Sequence, residues 1–301
     1  MRILILGAGA IGGYFGARLI EAGVDVSFLV REARAARLRR DGLRVHSARG
    51  EFAGSVQACT VADGTFDLVV VSCKAWDLDS AIAAIAPAVG PQTLVLPLLN
   101  GLRHLDALDA AFGRRRVFGG VCHISVTMEA DGSIRQFGSL ERLTFGSRDG
   151  EPVPAAVADA LRSIGPQVAE ADDVLAAMWN KFAFIATLAG ITCLLRGAVG
   201  EIMATPEGDA LIRGLYREAC DAAAAAGHVV PDAERDQAIA ILCAAGSPLK
   251  ASMLRDVERG ARTECEHVLG DLRERAQACG LDTPLLSAAL ASLRIYEAGR
   301  A

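Results

Sequence analysis

The five histidines are scattered without an H-E-x-x-H, and the eight cysteines contain neither a C-x-x-C pair nor a zinc-ligand spacing. No metal site is expected. Cysteines 59, 73, 122, 193, 220, 243, 265 and 279 sit mostly in apolar surroundings and read as reduced core thiols of a cytoplasmic protein. Positive charge is also short, with 31 Lys and Arg against 36 Asp and Glu, a formal net charge of −5. That balance argues against a general nucleic-acid binder. No uncharged apolar run reaches bilayer length, the longest being the fourteen residues Phe182 to Leu195, so a soluble protein without a membrane partner is expected. The first twenty residues are apolar enough for a signal peptide, but Arg2 is their only leading charge and a glycine pattern explains them better. Repeats and low-complexity segments are absent.

That glycine pattern is the main positive signal. Ile3 to Leu6 form a uniformly apolar run suited to a buried parallel strand, and Gly7-Ala8-Gly9-Ala10-Ile11-Gly12 follows at once. Gly7 permits the tight turn, Gly9 lets a pyrophosphate approach the backbone, and Gly12 lets the next helix pack closely on the strand. A helix over about Ala10 to Ala22 should stop at Gly23, and Val24 to Val30 reads as a second strand. Strand, motif, helix and strand within about thirty residues is the context that makes G-x-G-x-x-G a dinucleotide site. Arg31 lies nineteen positions after Gly12, where an arginine accommodates the 2′-phosphate of NADP. Glu32 is an acidic alternative one residue on. Arg34, Arg37, Arg39 and Arg40 read mostly as a solvated helix face.

The chain is long enough for two domains, each burying a core. Strands at Phe66 to Ser72 and Thr93 to Leu99 flank a helix at Leu78 to Ala86. Short alternating runs between Val117 and Ser147, with an Asp131-Gly132 turn, should add antiparallel strands at this end of the sheet. From about Ala171 the pattern is helical throughout. One helix, capped by Asp172 or Asp173, should run to about Leu195. A second should be capped by Thr205 and closed by Gly227. Others are expected at Asp232 to Ala245, at Pro248 to Cys279 and from Thr283-Pro284 onward. The fold class is α/β: an N-terminal Rossmann-type doubly wound sheet, residues 1–169, then a second, all-helical C-terminal domain, 170–301. In such an architecture the ligand cleft is expected between the domains, beyond the carboxyl ends of the strands.

Lys74 and Asn100-Gly101 each follow a strand and so fall at that edge, although a surface lysine and an Asn-Gly turn read equally well there. Lys181 lies in an otherwise apolar helix, where it either snorkels to the surface or lines a cleft. A cleft lysine can protonate the oxygen that develops charge when hydride adds to a ketone.

Together, Gly7 to Gly12, Cys73-Lys74-Ala75-Trp76, Asn100-Gly101, Trp179-Asn180-Lys181, Ser252-Met253 and Thr263-Glu264 fall in the order and spacing of the ketopantoate reductases (2-dehydropantoate 2-reductases). The chain resembles that family over essentially its whole length. The resemblance implies NADPH-dependent reduction of a 2-oxo acid to a 2-hydroxy acid, in the family ketopantoate to pantoate for pantothenate and coenzyme A synthesis. It implies Lys181 as general acid and Asn100 touching both nicotinamide and substrate. Lys74 and Glu264 would lie on the cofactor side with Gly7, Ala8, Gly9, Ala10, Ile11, Gly12 and Arg31, and Ser252 would contact the substrate.

One departure stands out. The substrate-binding asparagines that the family places four and eight residues after the lysine are Ile185 and Ala189 here, and two others align with Val199 and Leu249. Amides that bind a hydroxyl discriminate by roughly 10⁴ or more, so their loss points to a less polar 2-oxo acid. The alternative is that Thr187, Thr192 or Arg196 takes over and ketopantoate remains the substrate. The rivals are a hydroxy-acid or opine-type dehydrogenase, which would need His228 or His267 as its catalytic histidine, and a non-catalytic NADP sensor. The last helix and exposed parts of the helical domain could support a homodimer, although no apolar stripe identifies an interface.

Overall fold

The apolar run after Arg2 forms the central strand of a parallel sheet, and the rest of the first unit is built around it. In the computed structural model, which describes residues 1–300, the elements in chain order are β1 (Arg2–Leu6), α1 (Ala10–Glu21), β2 (Asp25–Leu29), α2 (Glu32–Asp41), β3 (Leu43–Ser47), β4 (Gly50–Gly54) and β5 (Gln57–Cys59). They continue with β6 (Leu68–Val71), α3 (Leu78–Ile85), β7 (Leu94–Pro97), α4 (Arg103–Phe112), β8 (Gly119–Met128), β9 (Ile134–Gly146), α5 (Ala155–Arg162) and β10 (Val168–Glu170). The chain forms two compact units. Met1–Leu99 with His104–Val174 make the first, and Asn100–Arg103 with the chain from Leu175 onward make the second.

The first sheet has the order β5-β2-β1-β6-β7, and every pair in it is parallel. The chain winds from β1 outward to β2 and β5, then returns to β6 on the other side of β1. The glycine loop after β1 therefore sits where the winding reverses, the usual ligand position in such sheets. Ile3, Ile5, Phe28, Leu68 and Val70 pack with Tyr14 and Phe15 of α1 in the core of this unit.

The antiparallel strands do not extend this sheet, as the sequence had suggested. They form a second five-stranded sheet, β10-β9-β3-β4 with β8 on β9. An isolated parallel bridge, Val95–Val117, joins the β8 approach to β7. The Asp131-Gly132 turn is where the sequence put it. Asp131 Oδ1 accepts from the Ser133 N–H at 2.9 Å and the Ser133 hydroxyl at 2.6 Å, and Gly132 has φ +78°.

The second unit is all helical: α6 (Val174–Leu195), α7 (Val199–Met203), α8 (Gly208–Ala225), α9 (Asp232–Leu242), α10 (Ser252–Glu258), α11 (Asp271–Ala278) and α12 (Pro284–Ala298). At Gly190, α6 passes so close to Leu215 of α8 and Ala289 of α12 that a side chain there would press on Leu215. By length and composition α6, at 22 residues, could cross a bilayer, because the helix extends through Lys181 beyond the uncharged run; 61% of its most apolar window is buried inside the protein.

Two helix boundaries differ from expectation. The Thr205 hydroxyl donates to the Ile202 carbonyl at 2.8 Å, so it closes α7 instead of capping α8, which starts at Gly208. The single long helix expected over Pro248 to Cys279 is broken. Gly260, at φ +66°, ends α10, and the Thr263 N–H and hydroxyl both donate to Glu297 Oε1 at 2.6 and 2.7 Å. A wide π-helical segment, Glu266–Gly270, then leads into α11.

Candidate active site

The structure divides the candidate residues between the two units. Gly7 to Gly12, Arg31 and Lys74 belong to the first, and Asn100, Lys181, Ile185, Ala189, Ser252 and Glu264 to the second.

In the first unit the cradle is built at the carboxyl ends of β1, β2 and β6. Gly7 takes φ +93°, and Ser72 Oγ, just after β6, donates to the Leu6 carbonyl at 3.0 Å. A Cβ on Gly12 would overlap the Gly7 carbonyl oxygen and Ser72 Oγ, so only glycine lets α1 approach this closely. A Cβ on Gly9 would meet nothing within 4 Å. Gly9 caps α1, and the first turn carries no acidic residue. An open glycine before an uncharged helix N-terminus fits a pyrophosphate.

Arg31 follows β2 as the N-cap residue of α2, with its side chain 80% exposed and its Nη2 2.7 Å from Asp77 Oδ1. Asp77 ends the short turn that begins after Lys74, and the Lys74 ammonium lies 5.4 Å from the centre of the Trp76 ring. Arg31 and the Lys74 segment thus flank the glycine loop. Arg39 and Arg40 are exposed, as expected of a mostly solvated face, and Arg34 is an exception. It is half-buried, and its Nε and Nη2 donate to the Ala8 carbonyl at 3.1 and 2.9 Å, its Nη1 to the Gly132 carbonyl at 3.2 Å. Burial lowers its guanidinium pKa, and the neighbouring charge of Arg37 adds to the effect.

In the second unit Lys181 lies half-buried about two turns into α6, immediately before its uncharged apolar run, with Ile185 and Ala189 four and eight residues on, along the same face. Asn100 follows β7 and leads directly into Gly101, at φ +81°. A Cβ on Gly101 would come within 3.1 Å of the His267 carbonyl oxygen and 3.6 Å of the Phe182 ring. The Asn100 loop therefore lies against Phe182, next to Lys181, and against His267, three residues after Glu264. His267 hydrogen-bonds the Asn100 main chain, and burial lowers its pKa against the opposing charges of Glu264 and Asp271. Arg103 closes the loop with an ion pair to Glu274 and a 3.6 Å approach to the buried Asp271. Half-buried Glu264 follows the Thr263 anchor on Glu297. Ser252 is exposed at the start of α10.

Arg103 was not legible as a candidate site residue, and His267 was legible only as the catalytic histidine of a rival dehydrogenase, not as a partner of the Asn100 loop. His228, the other histidine of this unit, stacks on Trp179 at 5.7 Å. Val199 and Leu249, two of the positions where the family pattern has amides, are paired by a main-chain hydrogen bond of 2.9 Å. Thr187 and Thr192 are fully buried, and their hydroxyls donate to the carbonyls one turn back, Ala183 at 2.8 Å and Leu188 at 2.6 Å. Arg196 lies over the Tyr296 ring at 5.7 Å.

A doubly wound sheet with a glycine cradle at its switch point, joined to a helical unit that carries a lysine and an asparagine, defines a two-part oxidoreductase. Comparison with known proteins agrees. The ketopantoate reductase PanE/ApbA model matches residues 3–150, and the model of its C-terminal part matches residues 173–297. The chain is 35% identical to the uncharacterized oxidoreductase YkpB of Bacillus subtilis, covering 99% of both proteins. It superposes on the crystal structure of 2-dehydropantoate 2-reductase from Geobacter metallireducens with a TM-score of 0.89 at 29% identity, covering 98% of this chain and 99% of that one. D-mandelate dehydrogenase, solved with NADH and anilino(oxo)acetate, shares the fold with a TM-score of 0.89 at 22% identity, over 100% of this chain and 99% of that one. The chain belongs to the ketopantoate reductase family.

Proposed function

We propose that this protein reduces a 2-oxo acid to the 2-hydroxy acid with NADPH, the first substrate to test being 2-dehydropantoate. The observation that carries the reading is the pairing of two features: a glycine cradle open at Gly9, and a half-buried lysine on an apolar helix whose neighbour Phe182 packs on the Asn100 loop. Gly9 and the α1 N-terminus would hold the pyrophosphate, and Arg31 the 2′-phosphate. When bound, the nicotinamide supplies the hydride for the ketone carbon.

The chain's own work is at the oxygen. The Lys181 ammonium donates a hydrogen bond to the carbonyl oxygen, stabilises the negative charge that develops there and transfers a proton to it, giving the hydroxyl. Solvent then returns a proton to the amine. The Asn100 side-chain amide orients the substrate beside it.

A second reading, that the natural acid is less polar than 2-dehydropantoate, rests on a specific observation. The Thr187 and Thr192 hydroxyls already donate within α6, and Arg196 lies over a tyrosine ring. The two threonine hydroxyls that could replace the missing amides are thus engaged within their own helix. Loss of NADPH absorbance with purified protein, measured for 2-dehydropantoate and for aliphatic and aromatic 2-oxo acids, tests both readings. Highest kcat/KM for 2-dehydropantoate supports the pantoate role; a preferred apolar acid supports the second reading; no turnover of any 2-oxo acid would sink the reductase assignment.

A further inference from the structure

We propose that Arg34 is a positioning residue for the dinucleotide, which it never touches, acting by holding the Ala8–Gly9 peptide in the orientation that presents the Gly9 N–H to the pyrophosphate. The proposal rests on the reading of the glycine loop as a dinucleotide site. Arg34 lies three residues after Arg31 and would be an obvious second ligand for a 2′-phosphate. Its geometry says otherwise, because each of its three nitrogens already donates to a main-chain carbonyl, two to Ala8 and one to Gly132.

The Ala8 contact has a directional consequence. A trans peptide is planar, so its C=O and N–H point to opposite sides. With the Ala8 oxygen turned toward Arg34, the N–H of Gly9 is turned away from it. Two charge-assisted bonds to one oxygen resist the peptide flip that would reverse this arrangement. Glycines leave the loop backbone otherwise permissive, so an external clamp is what selects one orientation before the ligand arrives.

The clamp itself is anchored at a second point, the tip of the β8–β9 hairpin. Gly132 takes φ +78°, and a Cβ there would come within 2.8 Å of Arg34 Nη1 and 2.7 Å of Arg37 Cζ. Arg37 Nη2 donates to the Ala130 carbonyl at 3.2 Å, so the turn is gripped by both arginines. The hairpin thus fixes Arg34, and Arg34 fixes the loop.

The test is direct binding of NADPH and NADH, followed by calorimetry, to wild type, Arg34→Met, Arg34→Lys, Gly132→Ala and Arg31→Ala. Arg34→Met should weaken both nucleotides by the same factor, about tenfold, leaving their ratio unchanged. Arg34→Lys, which can still reach one carbonyl, should recover part of that loss. Gly132→Ala, which keeps Arg34 but crowds its Nη1, should reproduce a smaller equal loss and keeps the test open if Arg34→Met fails to fold. In turnover the loss should appear in the cofactor KM and not in kcat at saturation, a split that general destabilisation does not produce. Selective loss of NADPH with Arg34→Met would make Arg34 a phosphate ligand and overturn the proposal, as would unchanged affinity for both. Wild type that binds neither nucleotide would instead overturn the dinucleotide reading itself.

Discussion

The imidazole of His267 hydrogen-bonds the main chain of Asn100, so the asparagine that follows β7 is held in place by the π-helical segment of the helical unit. Its folded-state pKa lies below the ordinary 6.5, chiefly because the ring is buried; Glu264 and Asp271 oppose the shift and Arg103 adds to it. The unfolded chain therefore takes up this proton first. The contribution of His267 to stability is fully present above pH 6.5 and is lost as pH falls from there through the folded value. Denaturant midpoints measured across this range should fall with pH, and His267→Gln should flatten that part of the profile.

Lys181→Ala should lower kcat by about 10²–10⁴ while changing the NADPH dissociation constant less than about threefold. Single-turnover rates with prebound cofactor measure the first quantity and calorimetry the second. A variant with near-normal kcat would remove Lys181 from the role of proton donor.

Arg31 and Asp77 should act in opposite directions on cofactor choice. Arg31→Ala is expected to weaken NADPH by about tenfold or more with little effect on NADH. Asp77 lies 2.7 Å from the same guanidinium and repels a 2′-phosphate, so Asp77→Asn should tighten NADPH by about two- to fivefold. Both effects should shrink at high salt, since Arg31 is largely exposed. The ratio of kcat/KM for the two cofactors reports them.

Gly12→Ala should cost about 1–3 kcal/mol, because the added methyl overlaps the Gly7 carbonyl and Ser72 and α1 must move outward. A lower Tm together with weakened binding of both cofactors is the expected pair of results.

Ile185→Asn combined with Ala189→Asn should raise kcat/KM for 2-dehydropantoate relative to an apolar 2-oxo acid by about tenfold or more. Thr187→Val should leave that ratio within about twofold, because the hydroxyl it removes is bonded to its own helix. A large loss of 2-dehydropantoate activity in Thr187→Val would show instead that the threonine holds substrate.

The parallel half of the fold could be read from local pattern. Apolar strands such as Leu68–Val71, and glycines at fixed offsets from a strand end, are signals that survive without tertiary information. Of the second sheet only the β8–β9 hairpin could be read this way, since β3 and β9 pair across a long stretch of chain and neither shows the other in its own pattern. Nor could the segment between α10 and α11 be read beyond the Gly260 stop, where Thr263 is held by the distant Glu297. Among candidate site residues, Lys181 announced itself as a charge in an apolar helix, one of only three lysines in the chain with Lys74 and Lys250. Arg34 was hidden among neighbouring arginines, and its signal was positional: it lies four residues before buried Leu38 and so shares the inward face of α2. His267 stood out only as one of two histidines in the helical part, and nothing local marked its bond to Asn100, because that comes from the loop that packs on it.

That loop bears on how such enzymes can be recombined. Asn100 to Arg103 are encoded among the strands of the first unit but are structurally part of the second. A chimera spliced once, before α6, would take Lys181, Glu264 and His267 from one parent and the Asn100 segment from the other. Exchange of helical units between relatives should therefore succeed only when this four-residue segment travels with them.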